Sequence, residues 1–115
     1  MTTQAIELHG REYVVLDRAE YDRLTILAQA ANLPPLPKPD KDGNYPAVEY
    51  CRASIARDII KDRVAAGLTQ RDLAKLAGVP VKTLSRIETG MYTPSVPTVE
   101  KIDRALKSAL AKARK

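Results

Sequence analysis

A chain of 115 residues has room for one small core plus an accessory element, too little for several domains. Apolar residues make up 44% and include no Phe or Trp, so the core must come from Leu, Ile, Val and Ala, a mix that suits short packed helices rather than a large sheet. The net charge of +5 divides into −3 for residues 1–50 (five basic, eight acidic) and +8 for residues 51–115 (fourteen basic, six acidic), which points to a C-terminal part that meets a polyanion.

Gln4 to Leu8 and Glu12 to Leu16 are short apolar-rich runs around His9-Gly10-Arg11. They predict a β-hairpin in which Gly10 supplies the positive φ of the turn. A helix should follow, because Asp17 and Glu20 have the spacing of a capping box. Tyr21, Leu24, Leu27, Ala28 and Ala31 then recur at helical spacing. Hairpin plus helix can barely bury a core alone, so residues 1–31 are expected to pack on a second copy or another partner. Tyr13, Val15, Tyr21, Leu24, Leu27 and Ala28 are the expected contact residues. Residues 32–46 hold five prolines with Asp40, Asp42, Gly43 and Asn44, which predicts a stiff extended linker.

From about Ala47 the pattern turns helical, and residues 47–115 are expected to form one domain. Val48, Ile55, Ile59, Val64 and Leu68 place a first long helix up to Gly67. Thr69 caps a short second helix ending at Gly78, and a third runs from about Val81 to Glu88 and stops at Gly90. After Met91-Tyr92-Thr93-Pro94, Ser95 caps a last helix whose apolar stripe is Val96, Val99, Ile102, Leu106 and Leu110.

Residues 69–90 meet the demands of two helices crossing steeply over a tight turn. Leu73, Ala77, Val79, Leu84 and Ile87 can face one core, and Ala74 is small where the second helix must approach the third. Gly78 sits where the turn needs a conformation that a β-carbon penalises, and Pro80 fixes the start of the third helix without losing a hydrogen bond. The same spacing leaves Val81, Lys82, Thr83, Ser85 and Arg86 on the outer face of that helix. Such a face can lie in a major groove, with Lys82 and Arg86 donating to guanine O6 and N7 and the methyls of Val81 and Thr83 meeting a thymine methyl. Gln70, at the start of the second helix, is placed to hold a phosphate, and Arg71 and Ser85 are further expected backbone-contacting residues.

Thr-Gln-x-x-Leu-Ala-x-x-Ala-Gly-Val from Thr69, Thr-Leu-Ser-Arg-Ile-Glu-x-Gly from Thr83 and Thr-Pro-Ser from Thr93 resemble the Xre/Cro family, which includes lambdoid phage repressors. The similarity runs from about residue 48 to 110. It implies a mainly α fold, a five-helix lambda-repressor-like DNA-binding bundle, here preceded by the small hairpin and helix. It also implies that Gln70 is the family's phosphate-contacting glutamine, that Val81, Lys82, Thr83 and Arg86 occupy its base-reading positions, and that Thr93 lies in a loop touching the DNA backbone. Val81 departs from the polar residue often found at that position.

Other residues offer little chemistry. His9 has no second histidine to share a metal, and Cys51 is the lone cysteine, so neither a metal site nor an intrachain disulfide is expected. Asp58, Lys61, Asp62 and Arg63 read as solvated helix charge. The tail LAKARK either adds phosphate contacts or only places cations at a helix C-terminus. No apolar run of about 18 residues could span a bilayer, and the start lacks the pattern of a signal peptide, so a cytoplasmic location is expected. No phosphate loop, nucleophile elbow or paired carboxylates are visible, and neither an enzymatic role nor a cofactor is expected.

The leading reading is therefore a repressor that binds an inverted-repeat operator in double-stranded DNA as a homodimer. The alternative is an antitoxin that neutralises a cognate toxin protein through residues 1–31 and represses its own operon. The run from Glu12 to Leu24, EYVVLDRAEYDRL, weakly resembles the start of Phd/YefM-like antitoxins. An RNA-binding or nucleoid-type role fits the charge but not the turn spacing.

Overall fold

A computed structural model describes residues 4–113. Strands β1 (Gln4–Leu8) and β2 (Arg11–Val15) pair antiparallel, with Gln4 opposite Val15 and Leu8 opposite Arg11. The turn is one residue shorter than the sequence suggests, because Arg11 joins the ladder. Its two residues, His9 and Gly10, have φ of 51° and 77°, the left-handed geometry whose twist matches that of the strands. Every residue of both strands is exposed.

Helix α1 (Arg18–Ala31) starts where Asp17 Oδ1 accepts the Glu20 N–H at 2.8 Å. Only this half of the expected capping box forms. The Glu20 carboxylate turns to Arg23 instead, and that hydrogen bond is the main reason its carboxyl sits below the usual range. Thr25, Ile26, Gln29 and Ala30 are half-buried on the side that packs against α2 (Ala47–Ala65). The stripe of Tyr21, Leu24, Leu27 and Ala28 lies on the other side and is exposed, Tyr21 at 54% and Leu27 at 51%.

The Pro-rich segment has no helix or strand, as expected, but its first part is tied down. The Pro34 carbonyl accepts Arg57 Nη1 at 3.0 Å. Gly90, with φ of 78°, lies so close that a β-carbon there would stand 3.3 Å from Pro34 Cβ and 3.6 Å from Ala53 Cα. Farther on, Asp40 Oδ1 accepts the N–H groups of Asp42 and Asn44, closing a small turn.

Helices α3 (Gln70–Ala77), α4 (Val81–Glu88) and α5 (Val96–Ala113) complete the C-terminal half of the chain. Thr69 and Asp72 form a full capping box on α3, and Ser95 Oγ accepts the Thr98 N–H at the start of α5. Gly78 ends α3 with φ of 72°, and Pro80 precedes α4 with φ of −63°. A residue with a β-carbon would be strained at Gly78, so the steep turn depends on that glycine. Ile59, Leu73, Ala74, Leu84, Ile87, Ile102 and Leu106 form the core, with Ala77 and Val79 packed against it. Four helices come from residues 47–113, and α1, seated on α2, is the fifth of the bundle.

The structure departs from the expected helix stripes at their ends. Val48 and Val96 are exposed, and α2 instead buries Ala53, Ala56, Ile60 and Arg63 beside Ile59. No helix among the described residues is long and apolar enough to cross a membrane. The Cα radius of gyration of 17.1 Å exceeds the roughly 13 Å of a compact chain this long, which fits a hairpin standing away from the core.

Candidate nucleic-acid interface

Helix α4 is two-sided. Leu84, Ile87 and Glu88 are buried, while Lys82, Ser85, Arg86 and Thr89, at i, i+3, i+4 and i+7, form one exposed face. Val81 borders that face and is exposed. Thr83 is half-buried on its flank, so of the four expected base-reading side chains it points least freely outward. Lys82 and Arg86 take part in no ion pair among the described residues, which leaves their donors open to an anionic ligand.

The inner side of α4 is tied down by a buried ion pair between Arg63 and Glu88. Arg63, expected among solvated charges, is 0% exposed. Its Nε and Nη2 donate to the two carboxylate oxygens of Glu88 at 2.9 and 2.8 Å, and its Nη1 donates to the Leu68 carbonyl at 2.9 Å. Gln29 of α1 accepts a further bond from Nη2. Burying a guanidinium is tolerable only when its donors are answered, and here each nitrogen has a partner. The pair pins the last turn of α4 to α2. A signal for it existed: Arg63 falls on the apolar face with Ala56, Ile59 and Ile60, and a cation there needs a buried acceptor. Asp58, Lys61 and Asp62 are exposed, as expected.

Gln70 belongs to the same network. It is half-buried, and its Nε2 donates to Glu88 Oε1 at 3.0 Å, which holds the start of α3 at the C-terminal end of α4. Arg71 is exposed and lies by the base of the hairpin, where it lines a hollow with Val15, Arg18 and Tyr21. Thr93 is exposed in the loop after α4, and Arg52 of α2 donates its Nε–H to the Thr93 hydroxyl. Arg52 was not singled out from the sequence, because nothing local ties it to a loop 41 positions away.

The N-terminal elements sit beside this face. A cleft of about 420 Å³ separates α1 from α4, walled by Thr25, Ala28, Gln29 and Asn32 on one side and Gln70, Ser85 and Thr89 on the other. The expected partner-binding residues Tyr13, Val15, Tyr21, Leu24, Leu27 and Ala28 are all exposed. They do not join the core of residues 47–113. Gln70 is thus held at the C-terminal end of α4 through Glu88 and Thr93 is held by Arg52, while Lys82, Ser85 and Arg86 stand along the outer side of α4.

A family model described as helix-turn-helix matches residues 59–112. Searches of curated proteins and of solved structures returned no match.

Proposed function

We infer from the Xre/Cro-type helix-turn-helix domain of residues 59–112 that this DNA-binding transcriptional regulator acts as a dimeric repressor at an inverted-repeat operator. The observation that carries the reading is the outer face of α4. Lys82, Ser85 and Arg86 stand exposed on a helix whose opposite side is locked by Leu84, Ile87 and the Arg63–Glu88 pair. A short rigid helix with unpaired cationic side chains fits a major groove. In this reading Lys82 and Arg86 donate to base edges and Val81 and Thr83 offer methyl contacts. Gln70, Arg71, Ser85 and Thr93 hold phosphates.

Dimerisation through residues 1–31 is supported by the exposed apolar stripe of α1 and the uncovered hairpin. An isolated two-stranded ribbon is marginal in water, and a second copy would cover its edge and the stripe together. Two linked heads would also raise operator affinity steeply. The test is transcription from a reporter carrying the selected operator. Repression by the wild type, abolished by Arg86→Ala, is expected, and an unchanged or raised output with the folded wild type overturns it.

The antitoxin alternative draws on the same exposed surface. Because Ala28 of the same stripe lines a cleft with Gln70 and Ser85, a protein seated on Tyr21, Leu24 and Leu27 would lie near those side chains. Co-expression with the product of the neighbouring gene separates the two readings. Rescue of growth that depends on residues 1–31 favours the antitoxin.

A further inference from the structure

We propose that Arg52 is a further phosphate contact, presented by α2 to the DNA backbone together with Thr93. The proposal rests on the regulator reading above, since its ligand is the same duplex. Arg52 lies outside residues 59–112, in the part of α2 that precedes the matched domain.

Three observations carry it. First, Arg52 Nε donates to Thr93 Oγ1, so the guanidinium is aimed at the loop leaving the C-terminal end of α4. Second, Arg52 has no carboxylate partner among the described residues, in contrast to Arg18, Arg23 and Arg63. The hydroxyl answers one of its five N–H donors, which leaves the planar fork that suits a phosphate. Third, the side chain is half-buried along an apolar hollow of about 260 Å³ shared with Val48, Ile55 and Pro94. A stem packed in this way gives up less freedom on binding than a free surface arginine.

The position fits the rest of the interface. Gln70 is fixed to the same end of α4 through Glu88, and Gly90 brings the loop against Ala53, next to Arg52. Thr93 and Arg52 stand together beside the loop that leaves α4, so a duplex backbone reaching that loop would meet both while Arg86 faces the groove.

Wild type, Arg52→Ala and Arg86→Ala are titrated against a selected operator and a scrambled duplex over a range of salt. Arg52→Ala should weaken both duplexes alike and flatten the salt slope by about 0.9, so that a fourfold rise in salt costs it about 3.5-fold less affinity than the wild type loses. Arg86→Ala should instead shrink the preference for the operator. Since Arg52→Ala removes some packing, the wild type supplies a second readout. Cys51, the chain's one cysteine, is exposed and lines the same hollow, so saturating duplex should slow its alkylation. An unchanged salt slope, or Cys51 alkylated at the same rate on saturated DNA, overturns the proposal. A folded wild type that binds neither duplex overturns the regulator reading itself, and the role of Arg52 with it.

Discussion

Replacing Glu88 by Ala should destabilise the protein far more than any substitution on the exposed face of α4. The Glu88 carboxylate accepts three bonds: two from Arg63 at 2.9 and 2.8 Å and one from Gln70 at 3.0 Å. Arg63 is fully buried, so water cannot replace the lost oxygens without opening the contact between α2 and α4. Breaking a buried pair by removing one partner costs about 3–5 kcal/mol, because the remaining charge stays desolvated and unanswered. A domain spanning residues 47–113 has about 3–10 kcal/mol in total at typical values per residue, so the loss is a large share of it. Replacing both partners together, Arg63→Met with Glu88→Leu, should cost much less than Glu88→Ala alone, since no buried charge is then left behind. Urea unfolding at one fixed protein concentration reads both variants, provided the dependence on urea keeps its slope. A Glu88→Ala protein within about 1 kcal/mol of wild type would refute the reasoning, as would a double variant as unstable as the single.

Other substitutions separate reading, holding and pairing. Arg86→Ala should lose about 1–3 kcal/mol of operator affinity and relax preference at one base position, seen by titrating operator and scrambled DNA; equal losses on both would make Arg86 a phosphate contact. Gln70→Ala should weaken all sequences alike in the same titration, and should also lower stability by about 1 kcal/mol by urea unfolding, because its side chain donates to Glu88. Leu24→Glu with Leu27→Glu should turn a dimer into a monomer by light scattering without loosening the core, since both side chains are exposed. Persistence of the dimer would move the interface to α5. These two substitutions are a cleaner probe than removing residues 1–31, which would also strip Gln29 from Arg63.

Signals confined to a few neighbouring residues were legible in the sequence. Thr69, Gly78, Pro80 and Ser95 each act within a turn of their own position, and they place the start or end of α3, α4 and α5 within a residue or two. The core followed from helical spacing, with Leu73, Leu84 and Ile87 all fully buried. What depended on distant partners was not legible. The place of Arg63 on the apolar face of α2 hinted at burial, but its partner Glu88 is 25 positions away and alone resembles surface charge. Helix α1 has two faces with apolar residues. The stronger stripe, Tyr21, Leu24 and Leu27, stands exposed, while α1 docks through Thr25, Ile26, Gln29 and Ala30, whose mixed polarity conceals that role. The Arg52 contact with Thr93 was hidden for the same reason, since only the folded loop brings them together.

Selection from random duplexes shows whether the outer face of α4 reads DNA sequence. The wild type and a Lys82→Ala, Arg86→Ala variant, each verified as folded by its unfolding transition, are carried through the same rounds. The wild type should enrich an inverted repeat with half-sites about one helical turn apart, and the variant should lose this enrichment while keeping weak, salt-sensitive binding. A folded wild type that enriches nothing, or a variant that enriches the same repeat equally well, would contradict that role for α4.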